Sequence, residues 1–191
     1  GFLNHPGKVT LDYPKEDNTL FARYARSIAY YKIPQIDKAL NEINSLIKDY
    51  PNDAYFHEFK GQMLFENGHV AESIISYNKA LLLKPNAPLI MLASAAAKIE
   101  TNIKKNINEA LVDLDRVLFK EPNNIMAWNL KGVAYDRVGN EALSNLAAAE
   151  SAFRRGNNDQ ARIFINRARK KLTFNSPADI RAQDILELIS K

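Results

Sequence analysis

Apolar residues recur at every third or fourth position along most of the chain, the spacing that puts them on one face of a helix. Ala39, Ile43 and Leu46 follow it, as do Tyr77 and Ala80, and then Ala110, Leu114 and Val117. No segment shows the apolar–polar alternation of a strand. Prolines close these helical stretches at Pro51, Pro85 and Pro122, which stand 34 and then 37 residues apart. The pattern predicts a succession of paired helices with a period near 34 residues.

Thirty-four residues is the tetratricopeptide period, a helical hairpin ended by proline. The unit Ala54–Ala87 carries the clearest signature. Gly61 stands eighth, where the two helices cross. Gly68 stands fifteenth, in the turn, and Tyr77, Ala80 and Pro85 follow at their places. One period earlier, Leu20–Asp53 has Ser27 in place of the first glycine and Pro34 in place of the turn glycine. One period later, Pro88–Asn124 holds three extra residues, expected in the polar turn Thr101–Asn108 because loop closure costs grow slowly with length. A fourth start at Ile125 supplies Trp128, Gly132, Tyr135 and Gly139. There the register slips. Helices are expected over Glu141–Arg155 and Asp159–Leu172, the first also partnering the Trp128 helix.

The expected fold is therefore all-α: a tetratricopeptide-repeat superhelix of four to five helical hairpins plus a C-terminal capping helix. Its parts are an N-terminal short helix and turn (1–19), three repeats (20–124), an irregular fourth and fifth repeat (125–175) and the cap (176–191), in one domain overall. Ser176-Pro177-Ala178-Asp179 signals the start of that cap, with Ile180, Ile185, Leu188 and Ile189 expected against the preceding pair.

In such a stack the first helix of each hairpin lines the concave face. That places Phe21, Tyr24, Ile28 and Tyr31 there, then Tyr55, Glu58, Gln62 and Phe65, then Leu89, Leu92, Ala96 and Ile99, then Met126, Asn129, Val133 and Asp136. The lining is strongly apolar. Two readings stand: the superhelix closes on itself with the Ala-rich unit filling the trough, or a polypeptide partner occupies it. The clamp for acidic C-termini needs Lys, Asn and Arg where this chain has Tyr24, Ile28, Gln62, Leu92 and Ala96, so that clamp is absent.

Composition narrows the chemistry further. There are no cysteines, which removes disulfides, thiolate metal sites and cysteine nucleophiles. His57-Glu58 begins like an H-E-x-x-H zinc motif, but Gly61 occupies the second ligand's place. His57 reads as a packed structural residue. Asp113 and Asp115 read as solvated surface. No catalytic residue, metal ligand or cofactor site is expected in this fragment. The net charge of +4 is mild. Its one concentration is Arg154, Arg155, Arg162, Arg167, Arg169, Lys170 and Lys171, read either as a solvated face with cations near helix C-termini or as a patch for an acidic protein or lipid surface. Nucleic acid is not expected, because no stacking aromatics interleave with these cations. No apolar run reaches the ~20 residues of a membrane span.

Whole segments go beyond the repeat pattern. They are Gly1-Phe2-Leu3 with Pro6 and Val9, Tyr13-Pro14, Ala22–Arg26, Ala29-Tyr30-Tyr31, Tyr55–Gly68, Trp128–Gly139, Ser176-Pro177 and Arg181–Leu186. Together they resemble the C-terminal repeat region of BepA-like periplasmic zinc metalloproteases, relatives of the HtpX peptidases. The resemblance implies a piece of a longer protein whose zinc and H-E-x-x-H catalytic domain would lie upstream of Gly1. It also implies the periplasm, envelope protein quality control, and three kinds of protein partner: the parent's own protease domain, an unfolded outer-membrane client or an assembly factor. A free-standing adaptor, in the cytoplasm, binding a peptide or helix in its groove is the alternative.

Overall fold

The computed structural model describes Lys8 and residues 12–190. Most of the segment in which the N-terminal short helix is expected lies outside the described residues. Those that are described form helices and turns, with no strand among them. They divide into two compact units that meet in sequence at Ile90 and Met91.

The first unit contains α1 (Leu20–Lys32), α2 (Ile36–Asp49), α3 (Ala54–Glu66) and α4 (Val70–Leu83), each packed on the next. Thr19 starts α1, its hydroxyl accepting the amide of Ala22 at 3.3 Å. Asp53 starts α3 in the same manner through the amide of Tyr55. The seam residues Ala39, Ile43 and Leu46 of α2 are wholly buried, in a core with Tyr30, Phe56 and Met63. Ser27, at the helix crossing, is also fully buried, and its hydroxyl donates to the Ala39 carbonyl at 3.0 Å. Gly68 makes the α3–α4 turn with a φ of +82°, a conformation that costs glycine little.

Two buried arginines brace the first hairpin. Arg26 sets its fork on Glu42, Nε to Oε1 at 2.6 Å and Nη2 to Oε2 at 3.1 Å, while Nη1 donates to the carbonyls of Pro14 and Asp17. Arg23 reaches Asp49 at 2.6 Å. The paired geometry compensates the desolvation that burial imposes on the guanidinium groups.

Helix α5 (Pro88–Glu100) runs from the first unit into the second. The second unit continues with α6 (Lys104–Lys120), α7 (Ile125–Arg137), α8 (Glu141–Arg154), α9 (Asn158–Arg169) and α10 (Pro177–Leu188). The turn after α5 is only Thr101–Ile103, so the three extra residues of this repeat are not in the turn. They lengthen α6 to 17 residues, against 14 for α2, α4 and α8. Asn102 takes the left-handed turn position at φ +54°, and Ile107 in the added turn is buried. Burial of Ile107 rewards helix over loop there.

Helix α8 packs on α7 and on α9, so one helix serves two hairpins. The core beside it holds Leu146, Ala149, Ile165, Ala168, Ala182 and Ile185. Ser176 caps α10 with Pro177 in its first turn. On α10, Ile185 is buried, with Ile189 just past the helix end packed beside it, whereas Ile180 and Leu188 are exposed. Ala178, Ala182 and Leu186 complete the packed stripe instead.

Candidate protein-binding face

The first unit presents one turn-spaced aromatic face from α1 and α3. Tyr24 lies 5.8 Å, centroid to centroid, from both Phe56 and Phe59, and Tyr31 meets Phe59 edge-on at 5.9 Å. Phe21 is 73% exposed, Tyr55 58% and Tyr24 37%. Ile28, Tyr31, Glu58, Gln62 and Phe65 are half-buried along the same helices. Polar contacts stiffen one end: the Tyr31 hydroxyl donates to the Glu66 carboxylate, and Gln62 Nε2 donates to Glu66 Oε1 at 2.8 Å. Burial and that bond raise the Tyr31 hydroxyl pKa. Lys84 sits over the Tyr55 ring at 4.4 Å and donates to its hydroxyl at 2.6 Å.

The predicted lining is not uniform farther on. Leu89 is 80% exposed, but Leu92 and Ile99 are 4% and 3% exposed. These two offer no surface to a partner. The reason is local: α5 is apolar around almost its whole circumference, with Lys98 and Glu100 its only charges, and such a helix is covered on more than one side. In the second unit Asn129 is exposed and accepts the Ser151 hydroxyl at 2.6 Å. It borders an open cavity of about 300 Å³ with Trp128, Gly132, Val133, Asp136, Ser144 and Ala148.

The seven cations of the basic stretch differ in their surroundings. The Arg154 guanidinium binds the Glu150 carboxylate and lies 4.8 Å from the Trp128 ring, while its Nε donates to the Pro122 carbonyl at 2.6 Å. Arg169 pairs with Asp179 at 2.9 Å and Lys171 with Glu141. Arg155 donates to the Ser151 carbonyl at 3.4 Å. Arg162, Arg167 and Lys170 stay exposed, with Arg167 lying 5.9 Å from the Phe164 ring.

Two acids missed by the sequence pattern organise this region. Glu150 is 2% exposed and accepts Arg181 through both oxygens, at 2.7 and 3.0 Å. Burial works to raise its pKa, but the bonds from Arg181 and Arg154 outweigh it and hold the carboxyl below its ordinary range. Asp179, also buried, accepts the Asn175 amide and Arg169, which lower its pKa. Asp113 departs from expectation too. It is not solvated surface but the 2.8 Å partner of buried Lys98. Asp115 is exposed and pairs with Lys131. His57 is buried with Nε2 2.9 Å from the Pro51 carbonyl. Among the described residues no three His, Asp or Glu side chains gather in a metal-binding group, and no helix is long and apolar enough to cross a membrane.

Residues 24–88 match the family model described as tetratricopeptide repeat. The fold is that of a tetratricopeptide-repeat protein. Solved structures agree: MamA 41-end from Desulfovibrio magneticus RS-1 superposes with a TM-score of 0.64 at 17% identity, covering 85% of this chain and 90% of that one. PilW, described as a widely conserved type IV pilus biogenesis factor, gives 0.63 at 16% identity, covering 97% and 90%. Among curated proteins, pre-mRNA-splicing factor 6 of Saccharomyces cerevisiae is 26% identical over 158 residues, 82% of this chain. The chain spans only 15% of that relative's length. Tetratricopeptide repeats are protein-interaction scaffolds and typically non-catalytic, and this chain shares that architecture.

Proposed function

We propose that this chain is a non-catalytic recruiting module that binds a polypeptide segment on the α1–α3 face of its first unit. The observation that carries this is the exposure of Phe21, Tyr24 and Tyr55 on one aromatic face stiffened at one end. Large exposed aromatics clustered on two adjacent helices are the usual anchors of protein interfaces. The residues that would form the contact are Phe21, Tyr24, Tyr31, Tyr55, Gln62 and Phe65.

The segments quoted for the BepA-like resemblance, above all Tyr55–Gly68, support a finer reading. In it the repeats serve a periplasmic zinc metalloprotease, bringing client or assembly factor to a catalytic domain and governing access to it. Two measurements test the pair of readings separately. A photo-crosslinking amino acid at Phe21 or Tyr55, introduced in the native cell, is expected to trap protein, whereas the same label at exposed Lys79 traps none; equal trapping at both overturns the binding face. The complete reading frame is expected to encode an H-E-x-x-H domain and an export signal. A frame encoding neither leaves the free-standing adaptor.

A further inference from the structure

Among the described residues, the aromatic face carries one half-buried charge left unmatched. Four acids of the first unit are half-buried: Asp17, Glu42, Asp53 and Glu58. Asp17 accepts the Thr19 amide, Glu42 takes Arg26, and Asp53 caps α3. Glu58 has neither hydrogen bond nor ion pair among the described residues. It lies in the middle of α3, one turn from exposed Tyr55 on one side and half-buried Gln62 on the other. Its charge is felt by the hydroxyls of Tyr24 on α1 and Tyr77 on α4.

A half-buried carboxylate without a partner is costly unless something neutralises it. Burial raises the pKa of Glu58, as expected for such a group. Nearby rings add a second attraction for positive charge, since the face of a tyrosine draws an ammonium or guanidinium. The chain already shows this at Tyr55, whose ring holds Lys84. Tyr24 has no cation on its ring among the described residues.

We propose that the segment bound on this face presents a lysine or arginine to Glu58, with Tyr24 alongside and apolar neighbours of the same segment on Phe21 and Tyr55. The proposal rests on the polypeptide-binding reading above and names the chemistry of what binds. Charge complementarity decides among occupants: an acidic segment would meet Glu58 as a like charge, and a wholly apolar one would bury it unpaired.

The test is selection of a random dodecapeptide phage library on the whole chain, wild type against Glu58→Gln and Glu58→Lys. Enrichment of peptides with a basic residue among apolar ones is expected on wild type. Their affinity should drop about tenfold on Glu58→Gln, as loss of a partly desolvated ion pair does, and Glu58→Lys should turn the preference to acidic peptides. Equal stability of the variants by thermal melting confirms that the fold is kept. Enriched peptides lacking a basic residue, or basic ones binding Glu58→Gln as well as wild type, overturn the proposal while leaving the binding face intact. No enrichment on any of the three proteins, or self-association of the chain through this face by sedimentation, overturns the peptide-binding reading itself.

Discussion

A methyl group built on Gly61 falls 2.8 Å from two ring carbons of Tyr77, a residue only 2% exposed. The missing side chain of α3 is the space that the α4 ring fills. Gly132 holds the same repeat position in α7, yet a methyl there meets nothing nearer than the Ser144 carbonyl at 3.6 Å. The same substitution should therefore have opposite signs. Gly61→Ala is expected to destabilise by about 1–3 kcal/mol, because overpacking outweighs the better helix propensity of alanine. Gly132→Ala should stabilise by about 0.5–1 kcal/mol. Urea denaturation of the two variants decides it; equal shifts of one sign would refute the account.

The buried Glu150 links α8 to α10 through Arg181. Its pKa is depressed in the folded chain, so its contribution is complete above the ordinary value of 4.5 and fades as pH falls through the lower, folded value. Glu150→Gln should cost about 2 kcal/mol at neutral pH, leaving two guanidinium groups short of charge. The gap between wild type and variant should close in acid. A gap that stays constant from pH 7 to pH 3 in urea titrations would argue against the pairing.

Asp113 and Asp115 are neighbours in sequence with unlike surroundings. Asp113 is 14% exposed at its side chain and faces buried Lys98, whereas Asp115 is 60% exposed and pairs with Lys131. Asp113→Ala should destabilise by about 1–3 kcal/mol, because the buried Lys98 ammonium loses its 2.8 Å partner and keeps the Glu109 carboxylate 3.8 Å away. Asp115→Ala should cost less than about 1 kcal/mol, and that fraction should vanish in high salt. Paired denaturation curves at low and high salt provide the comparison.

What the sequence revealed, and what it hid, divides along one physical line. Periodicity within a helix says which side is greasy. Ala39, Ile43 and Leu46 therefore read correctly as a seam, and Ser176-Pro177 as a start. It says nothing of which distant charge answers which: Arg23 with Asp49 and Arg181 with Glu150 are spaced by no repeat rule. The three extra residues of the third repeat looked like loop because Lys104, Lys105, Asn106 and Asn108 are polar. Buried Ile107 in their midst was the signal for helix. For Leu92 and Ile99, repeat position gave the direction of the side chain but not what covers it. Glu58 is on the predicted face, and only the fold shows that no described residue pairs with it.

The predicted face contains both exposed and buried members, and this separates binding from folding. Phe21→Ser acts on a side chain mostly in solvent and should change stability by no more than about 0.5 kcal/mol. Tyr55→Ser also loses the exposed Lys84 contact and should cost no more than about 1 kcal/mol. Trapping of a partner by the photo-crosslinker at Tyr24 should nevertheless fall sharply in the double variant. Ile99→Ala, by contrast, empties a buried position and should cost about 2–4 kcal/mol, with any loss of binding following from unfolding. Melting curves and crosslinking yields measured on the same samples make the comparison. If the double variant melts like wild type and still traps its partner at Tyr24, Phe21 and Tyr55 are not the anchors of that contact.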